Sequence, residues 1–293
     1  MEKIKYINRQ TGALITETPP GEGYLKFLYH NPLGKLALSL VVKRKMLSAW
    51  YGKKMDKSNS TKNIAQFVDD LGIDMNEAVL PISAYKSFNE FFYRKLKPEA
   101  RPIGEGLVSP ADAKLLAFES VDDVWEFFVK GRKFTLKEFL QSESLAEEYK
   151  NASLFIFRLA PNDYHRYHFP MAGKVDNNTK IKGAYFSVSP YALEPNFAKV
   201  FCENKREYLT LSTEEKGDIL LIPVGATMVG TIISTFSPNS QVEKGDEMGY
   251  FAFGGSTVVM LVDQEKVKID QDLLDNTKNM METAVKMGER IGL

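Results

Sequence analysis

A chain of 293 residues, 44% hydrophobic and 26% charged, carries enough apolar material for one large domain or two modest ones. Lysine plus arginine equals aspartate plus glutamate at 38 each, so the overall charge gives no reason to expect a nucleic-acid partner, and any electrostatic partner must be met by a local patch. The single cysteine, Cys202, excludes an internal disulfide and a cysteine-cluster metal site, and no run approaches the roughly 20 apolar residues that span a bilayer. The opening MEKIKYINRQTGAL also lacks the apolar core of a signal peptide.

In chain order, the first region, to about Pro98, reads as helical. Asn31-Pro32 is a cap and first-turn pair opening a helix through about Trp50. Gly52 to Lys62 is polar and reads as a loop, and Thr61 is placed to cap a short helix stopping at Gly72. Ser87-Phe88-Asn89-Glu90 has capping-box spacing ahead of Phe91-Phe92-Tyr93, where another helix starts. From Gly106 to Val262 the texture is β: Trp125–Val129, Leu154–Phe157, Ile219–Ile222 and Gly230–Ile233 are short apolar runs separated by Gly, Pro and Asn. Thr135–Lys150 reads as a helical insertion, and Asp270 to about Met287 as a short terminal helix. The expected fold is therefore α+β: a helical N-terminal region over residues 1–100, then a β-sandwich or barrel-like core over 101–293.

Between Tyr24 and Met55 there are seven basic residues, Lys26, Lys35, Lys43, Arg44, Lys45, Lys53 and Lys54, and no acidic one. Leucines and aromatics interleave with them, among them Phe27, Tyr29, Trp50 and Tyr51. A basic amphipathic helix of this kind suits an anionic bilayer surface. A solvated helix face on its own domain is the plainer alternative.

Three histidines occur. His30 stands alone and reads as structural. His165 and His168 lie three apart in Leu159-Ala-Pro-Asn-Asp-Tyr-His-Arg-Tyr-His-Phe-Pro170, between prolines, in a loop or at a strand end. With Asp112, in Val108-Ser-Pro-Ala-Asp-Ala113, they could make a three-ligand zinc site. One histidine with an orienting carboxylate and a nucleophile could instead do general-base chemistry. In Phe253-Gly-Gly-Ser-Thr-Val-Val259, Gly254 and Gly255 open a strand, Thr257–Val262, that reads as buried on both faces. Gly-Gly-Ser alone is more often a bulge or tight turn.

Together these stretches resemble the phosphatidylserine decarboxylases, self-processing enzymes with a pyruvoyl group made from an internal serine. Gly249–Val258 is similar to the family's processing site, Leu159–Pro170 to its histidine loop, Ser109–Asp112 to its aspartate turn, and Phe88–Pro98 with Arg101-Pro102 to the helix before that turn. The likeness runs from about residue 30 to the end. Two departures stand out: Ala113 follows the aspartate where many members have glycine, and Gly254 precedes Gly255 where some have a larger apolar residue.

The resemblance implies that the Ser256 hydroxyl attacks the Gly255 carbonyl, the cleavage partner, with His168 as base and Asp112 orienting it. The ester then eliminates, and hydrolysis leaves a pyruvoyl group at residue 256 as the covalent cofactor, with no metal and no PLP. The implied products, 1–255 and 256–293, stay together as a heterodimer, and family members often self-associate into homo-oligomers. The reaction implied is phosphatidylserine to phosphatidylethanolamine and carbon dioxide through a Schiff base, with His165 assisting decarboxylation or reprotonation. That setting is a peripheral protein on the cytoplasmic face of an anionic membrane, working in phospholipid biosynthesis, with no nucleic acid. The rival expectations are a zinc-dependent hydrolase on His165, His168 and Asp112, a non-catalytic membrane-binding β domain, and a relative acting on a different head group.

Overall fold

The computed structural model describes residues 4–17, 52–124, 134–184, 186–188, 190–226, 232–252 and 256–293. The expected helix over 31–50, His30, most of the basic stretch, Trp125–Val129, and Gly254 and Gly255 lie outside the described residues.

The chain opens with a hairpin, β1 (Ile4–Asn8) and β2 (Leu14–Glu17). Here the helical expectation does not hold. Ile4, Tyr6 and the β-branched residues of Leu14-Ile15-Thr16 favour extended backbone. The turn is closed by Asn8 Oδ1, which accepts from the Gln10 and Thr11 amides, and by Gly12 at a φ of 68°. Residues 52–55 and a 3-10 turn, Ser58–Asn63, occupy the expected loop and lead into α1 (Ile64–Leu71), which ends at left-handed Gly72 as the sequence suggests. α2 (Phe88–Phe92) starts where expected: the Glu90 amide donates to Ser87 Oγ at 3.1 Å, and Glu90 reaches back to the Lys86 amide.

Beyond it come β3 (Leu107–Val108) and β4 (Ala113–Phe118), then α3 (Leu136–Leu140) and α4 (Glu143–Glu148), which together fill the expected helical insertion. Strands β5 (Ala152–Leu159), β6 (Arg166–His168), β7 (Gly173–Val175) and β8 (Thr179–Ile181) follow. α5 (Pro190–Glu203), a helix inside the region that reads as β, separates them from β9 (Arg206–Thr213) and β10 (Gly217–Gly225). The rest is β11 (Ile232–Ser234), β12 (Gln241–Val242), β13 (Glu247–Phe251), β14 (Ser256–Asp263), α6 (Gln271–Lys278), β15 (Glu282–Val285) and β16 (Arg290–Gly292). The terminal helix is thus shorter than expected, because Glu282–Val285 leaves it to join the sheet.

The main sheet is mixed and eleven-stranded, in the order β12-β7-β9-β10-β14-β5-β4-β15-β1-β2, with β8 on β9. β14 lies at its heart, antiparallel to β10 and β5, and seven of its eight residues are buried. Alternation divides its side chains between two cores. Val258, Met260 and Val262 face a core shared with Tyr167, Phe169 and Phe251 from the small β11-β13-β6 sheet and with Leu273 of α6. Val259 and Leu261 face a core closed by Phe139 of α3 and Val200 and Phe201 of α5. One face is therefore covered largely by strands and the other by helices, which makes the fold a mixed α+β layer structure built on one large sheet. Among the described residues no helix is long and apolar enough to cross a membrane.

A third, aromatic cluster joins α1 and α2 through Phe88, Phe91 and Phe92, with Phe67 edge-on to Phe88 at 5.0 Å. Both N-terminal pieces contact the residues of the core. Arg158 on β5 grips Glu17 of the hairpin at 2.7 Å and Glu282 of β15, and Phe92 reaches the histidine loop.

Candidate active site

Ser256 is the first residue of β14, paired across the sheet with Leu159 and Gly225, and is fully buried. Leu159 ends β5, and the chain then turns through the histidine loop. Asp163 holds that turn: its Oδ2 accepts from the Ala160 amide at 2.7 Å, and Lys114 of β4 donates to both its oxygens at 2.7 and 2.8 Å. Burial alone would lower the Lys114 pKa, but the Asp163 carboxylate raises it above the usual value, so Lys114 stays charged. This clamp sets His165 over Ser256, with Nδ1 3.4 Å from Oγ. The Phe251 amide donates to the His165 carbonyl, tying the loop to β13.

The His165 ring is fully buried and lies flat on Phe92, with centroids 3.9 Å apart and planes 21° apart. Its Nε2 has no hydrogen-bond partner among the described residues. Burial, and then the positive charge of Arg94, push its pKa down to about 3, so the imidazole is neutral. A neutral ring whose Nδ1 is unprotonated accepts from the serine hydroxyl and carries its hydrogen on the buried Nε2.

His168 ends β6. Its Nδ1 lies 2.9 Å from the Gly245 carbonyl, which can only accept, so Nδ1 carries the hydrogen and Nε2 accepts from the Tyr164 hydroxyl at 3.2 Å. Burial lowers its pKa, while the Gly245 contact and the carboxylates of Glu247 and Asp112 oppose the fall. The aspartate turn runs alongside, since the His168 amide donates to the Pro110 carbonyl at 2.7 Å.

Asp112 is buried and saturated by other partners. Oδ1 accepts from Arg101 Nε at 2.8 Å and the Met287 amide at 2.9 Å, and Oδ2 from Arg101 Nη2 at 2.6 Å and Lys286 at 3.3 Å. Burial would raise its pKa, but Arg101 and Lys286 hold it below the usual carboxylate range. The structure therefore gathers Ser256 with His165, and Asp112 beside the strand of His168. It does not hold the hydrogen-bonded series Asp112–His168–Ser256: Asp112 bonds Arg101, and His168 bonds Tyr164 and Gly245. With both oxygens of Asp112 so engaged, the zinc reading loses its carboxylate. Ala113, where many relatives of the motif have glycine, is buried in the core as the first residue of β4.

Three participants escaped the sequence reading: Phe92, Arg94 and Tyr164. All lie inside the quoted motifs, and Arg94 carries the one available signal, a charge set directly behind Phe91-Phe92-Tyr93.

Residues 88–293 match the family model described as phosphatidylserine decarboxylase. This chain belongs to that family. A phosphatidylserine decarboxylase proenzyme of Fusobacterium nucleatum subsp. nucleatum is 53% identical over 99% of this chain and 98% of its own length. Proenzymes of the same name from Clostridium novyi and Clostridium botulinum are each 45% identical over 99% of both chains. The family's match spans the aspartate turn, the histidine loop and Ser256 together, and it supports neither the hydrolase nor the non-catalytic reading.

Proposed function

We propose that this chain is a self-cleaving decarboxylase of phosphatidylserine, cut between Gly255 and Ser256, with a pyruvoyl group formed from Ser256. One observation carries the reading: in a chain of a proenzyme family, Ser256 is wholly buried at the mouth of the central strand with a neutral imidazole 3.4 Å from its hydroxyl. A buried serine with a basic partner fits an internal nucleophile. The His165 ring that stands against residue 256 through Nδ1 also carries a hydrogen on an Nε2 unpartnered among the described residues, so it can give or take a proton there.

Ser256 Oγ attacks the Gly255 carbonyl, exchanging an amide for an ester, and needs a base. With a pKa near 3, His165 is a weak one. His168 has carboxylates opposing its fall and a lone pair already directed at a hydroxyl, which supports it as the base, working once Tyr164 yields its place. Asp112 acts through position and charge, fixing Arg101 and the Lys286–Met287 turn beside His168. Elimination from the ester and hydrolysis release ammonia. A pyruvoyl group held at residue 256 would supply an electrophilic carbonyl for the substrate amine and a sink for the electron pair left behind by carbon dioxide. His165 serves the later proton transfer to the substrate carbon.

The setting follows from the substrate. The basic, aromatic-flanked stretch from Tyr24 to Met55 supports a peripheral site on the cytoplasmic face of an anionic membrane. The products 1–255 and 256–293 form a heterodimer, and homo-oligomers of that unit are part of the proposal, as is a division of labour between a membrane-facing stretch within 1–100 and a catalytic core.

Intact-mass measurement tests the reading. The wild type is expected as two chains parted after Gly255, and Ser256→Ala and His168→Ala as one. His165→Ala is expected to be cut yet release no carbon dioxide from phosphatidylserine vesicles. A wild-type chain that stays whole while decarboxylating would overturn it.

A further inference from the structure

Five arginines are buried among the described residues: Arg94, Arg101, Arg158, Arg166 and Arg206. Four are saturated. Arg101 holds Asp112 and Glu77, Arg158 holds Glu17 and Glu282, and Arg166 forks onto Glu247. Arg206 donates to three backbone carbonyls. Arg94 differs. Its Nε and Nη1 have no hydrogen-bond partner among the described residues, and Nη2 makes only a long contact, 3.4 Å, to the Asn162 carbonyl. Its Cζ lies 5.3 Å over the Phe91 ring, yet a charged guanidinium that is 5% exposed with two nitrogens lacking acceptors among the described residues is costly to keep.

Its location gives the cost a purpose. Arg94 follows α2, whose Phe92 carries the His165 ring, and Asn162 belongs to the same loop as His165. The charge of Arg94 is felt by His165, which faces Ser256. An open donor fork of this kind matches a tetrahedral oxyanion.

We propose that Arg94 is the substrate-positioning residue that receives the phosphodiester of the lipid head group. This rests on the decarboxylase reading above. The substrate offers two anions, and the chemistry chooses between them. The carboxylate loses its charge as it leaves as carbon dioxide, so a tight ion pair there would stabilise the ground state over the transition state. The phosphodiester keeps its charge throughout. Only two carbons and an ester oxygen part it from the reacting amine. A bound phosphate also cancels the positive charge that weakens His165 as a base, which arms the imidazole only when substrate is seated.

The test compares wild type, Arg94→Met and Arg94→Lys on short-chain phosphatidylserine in detergent micelles and on a serine O-alkyl ether that lacks phosphate. Mass spectra first establish that each variant is cut. For Arg94→Met, KM for the phospholipid is expected to rise about tenfold or more, with kcat within about threefold, and Arg94→Lys to recover part of the loss. Inhibition by glycerophosphoethanolamine should weaken in parallel, while turnover of the ether does not fall. The proposal falls if KM and inhibition stay within about twofold of wild type, or if the ether suffers equally. It falls as well if both variants remain one chain, since the guanidinium would then serve chain cleavage. A wild type that is cut but decarboxylates neither substrate removes the decarboxylase reading itself, whereas normal wild-type turnover with an indifferent Arg94→Met removes only this inference.

Discussion

Replacing Arg101 by Met leaves the buried Asp112 carboxylate without its principal partner. Asp112 is 2% and Arg101 5% exposed, and the bidentate contact at 2.8 and 2.6 Å is lost entirely. What remains is the Met287 amide at 2.9 Å and Lys286 at 3.3 Å, whose side chain is 49% exposed. Breaking one side of a buried pair costs about 3–5 kcal/mol, and the surviving contacts favour the lower end, about 3 kcal/mol. Measured in the Ser256→Ala background, so that a single chain unfolds in every case, this moves the urea midpoint down by about 1 M at a slope of about 3 kcal/mol/M. The sign with pH follows from linkage. In the parent, the folded pKa of Asp112 is depressed, so its contribution is present above about pH 4 and is lost as pH falls through the lower folded value. In Arg101→Met only Lys286 and the Met287 amide still oppose burial, and the folded pKa rises. The penalty is then full at pH 7 and shrinks toward pH 5 as Asp112 takes a proton. Adding Asp112→Asn to Arg101→Met should return part of the loss at pH 7. A midpoint shift below about 0.3 M, or one equal at pH 5 and pH 7, refutes this account of the pair.

Two other expectations concern the frame and the membrane. In Gly249→Ala, a Cβ would stand 2.3 Å from the Ile233 carbonyl oxygen and 2.5 Å from the Tyr167 hydroxyl, so β11 and β6 must part from β13. A loss of about 1–3 kcal/mol and slower chain cleavage are expected, from urea titration and timed mass spectra, and wild-type behaviour in both would refute it. Changing Lys43, Arg44 and Lys45 together to Glu is expected to reduce co-sedimentation with phosphatidylserine vesicles at low salt by removing about 1 kcal/mol of attraction per cation, and undiminished sedimentation would rule out that contact.

Much of the core was legible because burial leaves a mark on composition. Val258–Val262 is apolar at consecutive positions, and it lies in the strand flanked by two others with a core on each face. Ser87 and Glu90 showed a helix start because capping is local chemistry. The N-terminal hairpin was missed, since its basic residues and its nearness to a stretch that reads as helical hid a weak alternation that gains its stability from β15, more than 270 residues away. α5 was missed because Tyr191, Phe197 and Phe201 sit within a region rich in strand formers. At the site, the residue types were readable and their partners were not. Whether His165 or His168 faces Ser256 depends on a loop held by Lys114, and whether Asp112 meets a histidine depends on Arg101 and on a turn at Met287. Arg94 could not be recognised as short of acceptors among the described residues until every other buried arginine had been given its partners.

The placement of β14 and β15 bears on what the proposed cut would do to the molecule. β14 is laced between β10 and β5, and β15 between β4 and β1. The short product would thus enter the same sheet twice, at separate places, with the longer product on either side each time. It is woven in rather than appended. Covalent continuity at residue 255 is then dispensable to cohesion, in the manner of a protein split into complementing halves, and the scission frees a chain end without freeing a piece.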